Sequence, residues 1–148
     1  MAKIRCFFEE VRDGEWVAHS RPGRYTKKRN DRADVLNKVR VENTNSLFGL
    51  LCMGVGGQAF PFSFGERGLP PVLSETIDAA ARNYMPRSSS HSFLTKEELT
   101  TKAVELLIYP HPKALSVLPQ LNQLIEALPD STAALNHQRI VFWFNAKP

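Results

Sequence analysis

The fold is decided near the end of the chain, by the run Arg139-Ile140-Val141-Phe142-Trp143-Phe144. β-branched and aromatic residues follow one another there, which is typical of a strand buried on at least one face. Such a strand needs a neighbour, and residues 3–20 predict one in the form of a hairpin. Its first strand alternates apolar residues with others, its turn contains Asp13-Gly14, and its second strand begins at Trp16.

Helices are predicted between these two ends. Ser74 begins one helix that Pro86 ends, and Thr95 with Glu98 forms a capping box that begins a second helix running to about Ile108. Leucine spacing predicts a third helix over 113–128, in which Pro119 either bends the helix or lies in its first turn. A short helix is possible at 34–41. Ser46 could cap a helix over the apolar stretch 47–53, and a buried strand is the alternative, because the apolar run is continuous.

Strands at both ends and helices between them predict one α+β domain that covers residues 1–148. We expect a small antiparallel sheet, made from the N-terminal hairpin and the C-terminal strand, with several helices packed on one face. The chain is 43% apolar by residue count, which is enough for a core without disulfide bonds. Cys6 and Cys52 each stand in an apolar stretch and are expected to be buried thiols.

Positive charge is concentrated in one part of the chain, which has a net charge of +4. The window 21–40 contains eight basic and two acidic residues, so its net charge is +6. We call this window the basic segment and expect an exposed loop over most of its length. It predicts a contact with an acidic protein or with nucleic acid. The residues assigned to partner binding are Arg21, Arg24, Lys27, Lys28, Arg29 and Arg32.

Several classes of site are not expected. The four histidines show no metal-ligand spacing, and no Cys-x-x-Cys motif is present, so we predict neither a metal nor a cofactor. Charged residues interrupt the first apolar residues, so no signal peptide is expected. No window approaches the roughly 20 apolar residues of a membrane span. We therefore expect a protein of the cytoplasm that does not contact a membrane.

Two motifs have both a functional and a structural interpretation. The glycines of 54–59 match a dinucleotide fingerprint, but Pro61 follows where a helix should, which favours a simple helix end. The stretch Ser88–Ser92 precedes a helix and could hold a phosphate, although a serine-rich loop is the simpler interpretation. The residues of this alternative ligand site are Arg67, Arg87, His91 and Ser92. No catalytic residue is assigned.

Four segments together resemble a family of small, largely uncharacterised proteins that are widespread in tailed bacteriophages. The segments, which span roughly residues 46–148, are Ser46–Leu51, Glu66–Pro70, His91–Leu99 and Arg139–Asn145. This chain has Ser89 and Ser90 where the family tends to have an acidic residue and glycine. The resemblance implies a phage origin, and it implies no reaction.

Three hypotheses about function follow. The first is a phage accessory protein that binds and inhibits a host factor, for example a CRISPR effector or another protein–nucleic-acid complex of host defence. The second is a protein that binds a phosphorylated nucleotide signal at the alternative ligand site. The third is an enzyme acting on nucleotides or nucleic acid, for which the sequence offers only His91 and scattered carboxylates.

Overall fold

A computed structural model describes residues 3–18, 64–84, 88–108, 112–115, 118–128 and 130–145. The basic segment, the possible helix at 34–41, the apolar stretch 47–53 and the glycine motif lie outside these residues. A 3-10 turn, Leu135–His137, precedes the last strand. The helices and strands are β1 Lys3–Arg12, β2 Glu15–Ala18, α1 Glu75–Tyr84, β3 Ser88–Thr95, α2 Lys96–Ile108, α3 Pro112–Leu115, α4 Leu118–Ala127 and β4 Gln138–Asn145.

The four strands form one antiparallel sheet in the order β2-β1-β4-β3. β1 and β4 are the two central strands and pair from Lys3↔Asn145 to Glu10↔Gln138. In the β1–β2 hairpin, Asp13 and Gly14 have φ of 52° and 79°, the positive values that a two-residue type I′ turn requires. The predicted α+β class, and the sheet built from the N-terminal hairpin and the C-terminal strand, are confirmed.

The sheet has a fourth strand where the sequence predicted a loop. Ser88–Thr95 pairs antiparallel with β4, and its register shifts between Ser89 and Ser92. Serine has little preference for strands, and the register shift disturbs the alternation of side chains, so no strand pattern is visible there. Pairing with β4 supplies the stabilisation instead, because the backbone groups on that side of β4 find hydrogen-bond partners in β3. The interpretation of Ser88–Ser92 as a loop is therefore wrong.

Helices cover both faces of the sheet rather than the one face expected. Successive residues of a strand point to opposite faces, so Phe8 and Phe7 of β1 enter different cores. The first core packs Phe8 and Phe142 against α2 and α4, through Leu99, Leu106, Leu121, Leu124 and Leu128. The second core packs Phe7 and Trp143 against Ile77 and Ala81 of α1. The central strands have apolar residues at successive positions, which is compatible with burial on both faces of the sheet. The sequence did not indicate which helix packs on which face.

The helix predicted over 113–128 is observed as α3 and α4. Pro119 is the second residue of α4, so it lies in the first turn, where its missing N–H has no intrahelical partner to lose. Leu121, Leu124 and Leu128 are buried as the leucine spacing predicts, whereas Leu115 of the same predicted stripe is 40% exposed.

Two leucines of α2 give a matched test of this packing. Leu99 is fully buried in the first core, whereas 70% of Leu107 is exposed. We expect Leu99→Ala to lower the free energy of unfolding by about 2–5 kcal/mol. Leu107→Ala should change it by about 0.5 kcal/mol or less. Urea denaturation measures both, and equal losses for the two variants would contradict the assignment of the buried face.

Candidate functional site

The loop that precedes α1 lies along the outer edge of β3. The backbone N–H of Gly68 donates to the carbonyl oxygen of His91 at 2.8 Å. The backbone N–H of Arg67 donates to the Oγ of Ser92 at 3.2 Å. Three residues of the alternative ligand site, Arg67, His91 and Ser92, are thus neighbours, while Arg87 lies outside the described residues.

The guanidinium of Arg67 is engaged by the protein. Nη1 donates to Oε1 of Glu98 at 2.8 Å, and Nη2 pairs with Oε2 of the same carboxylate. Nη1 also donates to the carbonyl oxygen of Phe93 at 3.2 Å, and the guanidinium carbon lies 5.1 Å from the ring centre of Phe64. The hydrogen bond with Glu98 raises the pKa of Arg67. A phosphate that approached Arg67 would have to compete with Glu98 for these donors.

Glu98 also completes the predicted capping box, which is confirmed. The Thr95 N–H donates to Oε1 of Glu98, and the Glu98 N–H donates to Oγ1 of Thr95, both at 3.1 Å. Burial alone would raise the pKa of Glu98. Hydrogen bonds from Arg67 and Thr95, together with the positive charge of Arg67, outweigh burial and lower that pKa below 4.5. One carboxylate therefore joins the start of α2 to the loop before α1.

His91 and Ser92 do not form a nucleophile and base. They are consecutive residues of β3, so their side chains point to opposite faces of the sheet. The His91 ring lies 5.9 Å from the ring of Trp143, in the second core layer, whereas Ser92 is buried and pairs with Phe142 of the first. Burial lowers the pKa of His91, and the nearby charge of Glu66 partly opposes this effect.

A buried ion pair joins the two central strands, and sequence reasoning missed it. Glu9 and Arg139 are direct partners across β1 and β4, and Nε of Arg139 donates to Oε1 of Glu9 at 2.6 Å. Their side chains are 0% and 7% exposed. Burial lowers the pKa of Arg139, and the charge and hydrogen bond of Glu9 oppose that shift. The sequence did contain a signal of this pair. Glu9 and Arg139 are charged residues at strand positions that the apolar pattern places in the protein interior.

The same pair also contacts the loop before α1 and the strand β2. Oε2 of Glu9 accepts the N–H of Ser74 at 2.6 Å, and Nη2 of Arg139 donates to the carbonyl oxygen of Val72. The guanidinium lies 3.7 Å from the ring centre of Trp16 on β2, a cation–π contact. Charges buried to this degree are stable only when paired and hydrogen-bonded, as both are here. These contacts join the two central strands to the loop before α1 and to β2.

An apolar stripe lies on the outer side of α2. Val104, Leu107 and Ile108 are 54%, 70% and 60% exposed, and their spacing of three and four residues places them on one face of the helix. Contiguous large apolar side chains on a protein surface mark contact sites for other molecules. We call these three residues the apolar stripe. The helical spacing did not single them out, because residues 103–108 of α2 are apolar on several sides of the helix, with Glu105 the one charged residue among them.

Two further observations concern metals and membranes. In the part of the chain that the structure describes, no group of three histidine, cysteine or acidic residues could hold a metal ion. No helix among those same residues combines the length and the apolar character needed to cross a membrane.

Comparisons with models of protein families, with curated proteins and with solved structures each found no match for this chain. The resemblance to the phage family therefore stays a prediction from the sequence. The residues assigned to partner binding in the basic segment lie outside the described residues, so their assignment also stays a prediction.

The Arg67–Glu98 pair gives a prediction about pH. Because the folded state lowers the pKa of Glu98, the pair stabilises the fold above about pH 4.5 and loses this effect as the pH falls through the lowered pKa. Arg67→Ala should lower the free energy of unfolding by about 1–2 kcal/mol at pH 7. The difference from the parent should become smaller as the pH is lowered from 7 toward 3. Urea denaturation at both pH values measures it.

Arg82→Ala is the matched control for that measurement. Arg82 pairs with Asp78 on the surface of α1, where 78% of its side chain is exposed. Its loss should be below about 0.5 kcal/mol at pH 7. If Arg67→Ala is no more destabilising than Arg82→Ala, the Arg67–Glu98 pair does not hold the loop.

In the Glu9–Arg139 pair, we expect the contribution of each residue to the free energy of unfolding to depend strongly on the presence of the other. Glu9→Gln leaves the Arg139 charge buried without a counter-charge, which should cost about 3–5 kcal/mol. The double variant Glu9→Met with Arg139→Met should lose less than the sum of Glu9→Met and Arg139→Met. A double-mutant cycle in urea measures this coupling, and additive losses would show that the pair does not act as a unit.

Proposed function

We propose that the protein acts by binding another protein, and that it is a bacteriophage accessory protein that inhibits a factor of the host cell. The apolar stripe on α2 carries this proposal. Three large side chains there are more than half exposed, while Leu99 and Leu106 on the other side of the helix fill the core. A partner that covers the stripe gains the transfer free energy of apolar surface, which is the main driving force of protein association.

Charge supports the same proposal and describes the partner. The basic segment has a net charge of +6, and the rest of the chain is close to neutral. Opposite charge on the partner would steer the encounter, and apolar contact would hold the complex. The partner therefore presents both an acidic surface and an apolar groove. A host defence complex such as a CRISPR effector, which combines protein and nucleic acid in the host cytoplasm, has this chemistry.

A second candidate function is the binding of a phosphorylated nucleotide. The observation in its favour is that Arg67, His91 and Ser92 are neighbours, with backbone hydrogen bonds between the loop and β3. The bidentate contact of Arg67 with Glu98 opposes it, because a phosphate must displace a carboxylate that already satisfies the guanidinium. A nucleotide that co-purifies with the parent and is lost from Arg67→Ala would favour this second function.

The binding proposal is tested with two sets of variants. The first, Leu107→Asp with Ile108→Asp, places two charges in the apolar stripe. The second reverses Arg24, Lys27, Lys28 and Arg29 to glutamate. The partner is first captured from host extract as a protein that binds the chain in a one-to-one ratio. The first variant should weaken binding to this partner at least about tenfold, since each apolar anchor contributes above about 1 kcal/mol. The second should weaken binding mainly at low salt, because screening acts over about 8–10 Å at physiological ionic strength.

Leu135→Asp is the control, because Leu135 is an exposed apolar residue that lies outside the apolar stripe. It should bind as the parent does. Circular-dichroism melts confirm that each variant is folded. If both variants bind as tightly as the control, neither surface contacts the partner and the proposal fails.

A further inference from the structure

Before α1, the chain crosses from one face of the sheet to the other between two anchored residues. Phe64 packs against the first core, and Leu69 packs against the second core on the opposite face. The four residues between these anchors are Gly65-Glu66-Arg67-Gly68. We call residues 65–68 the flap. It lies on the outer edge of β3, because the N–H of Gly68 and the guanidinium of Arg67 contact carbonyl oxygens of that strand.

A glycine stands at each end of the flap. Gly65 and Gly68 have φ of 74° and 77°, values in the left-handed region that other residues rarely adopt. A Cβ added at either position would meet no atom beyond the neighbouring residues within 4 Å. Backbone conformation, and not a lack of space, therefore accounts for the two glycines. Because glycine changes its φ over a wide range at little steric cost, these two positions can serve as hinges.

The side-chain contacts that hold the flap converge on Arg67. Its guanidinium donates to the carbonyl oxygen of Phe93 on β3 and to the carboxylate of Glu98 on α2. This ion pair is partly solvated, since each side chain is 28% exposed. The same loop is held nearer to α1 by Glu9 and Arg139, whose side chains are 0% and 7% exposed. Breaking a partly solvated pair costs much less than breaking a buried one, so the flap should detach before the rest of the loop.

We propose that the flap opens and closes while the rest of the domain stays folded, with the Arg67–Glu98 contact as its latch. In the open state the backbone turns at the two glycines, and the apolar anchors on either side stay packed. The carbonyl oxygens of His91 and Phe93, which accept hydrogen bonds from the closed flap, then face solvent. The flap therefore regulates access to the outer side of β3, where an extended segment of another molecule can add through backbone hydrogen bonds.

Hydrogen exchange of the full chain at pH 7, followed by NMR, tests whether the flap opens separately. The reporters are the N–H of Gly68, which donates to His91, and the N–H of Ile140 on β4, a strand paired on both sides. The protection factor of Gly68 should be at least about tenfold smaller. It should hardly change in dilute urea, because opening exposes little surface, whereas that of Ile140 should fall. Equal protection factors with equal urea dependence would show that the flap opens only when the domain unfolds, and would overturn the proposal.

Two variants test the latch. Arg67→Ala removes the guanidinium, and Glu98→Gln removes the charge of its partner, although glutamine can still serve in the capping box. Exchange of the Gly68 N–H should become about tenfold faster in Arg67→Ala and about threefold faster in Glu98→Gln, as expected for charged hydrogen bonds that are partly solvated. In Glu98→Gln, the N–H of residue 98, which donates to Thr95, should stay protected, because α2 still begins at its cap.

Arg82→Ala is again the control, because Arg82 forms its ion pair with Asp78 on α1, outside the flap. The Gly68 N–H should exchange in this variant as it does in the parent. If exchange is also unchanged in both latch variants, the Arg67–Glu98 contact does not hold the flap and the proposal is overturned. Equal acceleration in Arg82→Ala and in Arg67→Ala would overturn it as well, because that result would not depend on the latch.

Discussion

The buried ion pair between Glu9 and Arg139 is the interaction on which the rest of the structure depends. Each charge sits on a central strand, in a row that also includes Thr95 of β3. From this row, Glu9 receives the N–H of Ser74, whose hydroxyl and carbonyl accept the N–H groups of Ile77 and Asp78 at the start of α1. Thr95, in the same row, caps α2 on the opposite face. The starting points of two helices, one on each face, are therefore set by one line of polar residues across the sheet.

This arrangement explains why the chain tolerates charge inside an apolar sheet. A carboxylate and a guanidinium are costly to bury, and hydrophobic residues in their place often give equal or greater stability. The charged pair adds geometric specificity. A guanidinium held between a carboxylate, a carbonyl oxygen and the Trp16 ring has one position. Register of the central strands is specified by this contact as well as by the aromatic residues on either side. The apolar stripe proposed for binding lies on α2, whose capping residue Thr95 belongs to the same row.

Much of the fold could be predicted from local patterns. The C-terminal strand, the hairpin with its Asp13-Gly14 turn, and the capping box of Thr95 and Glu98 each depend on neighbouring residues, and all three are observed. The serine-rich β3 could not be predicted, because its strand conformation comes from pairing with β4 and not from its own composition. For the same reason the partner of Arg67 was missed. Glu98 is 31 residues away, and only the packed loop brings them together.

The contact of the loop 64–68 with β3 has a consequence for self-association. An open sheet edge presents unpaired N–H and C=O groups that can pair with the edge of another molecule, a common route to aggregation. Gly68 and Arg67 take up the carbonyl oxygens of His91 and Phe93 along the outer side of β3. At the opposite edge, β2 has only four residues and leads out of a tight turn. Among the described residues, the loop 64–68 thus covers part of the longer sheet edge, so that this edge is a poor template for pairing with a second copy.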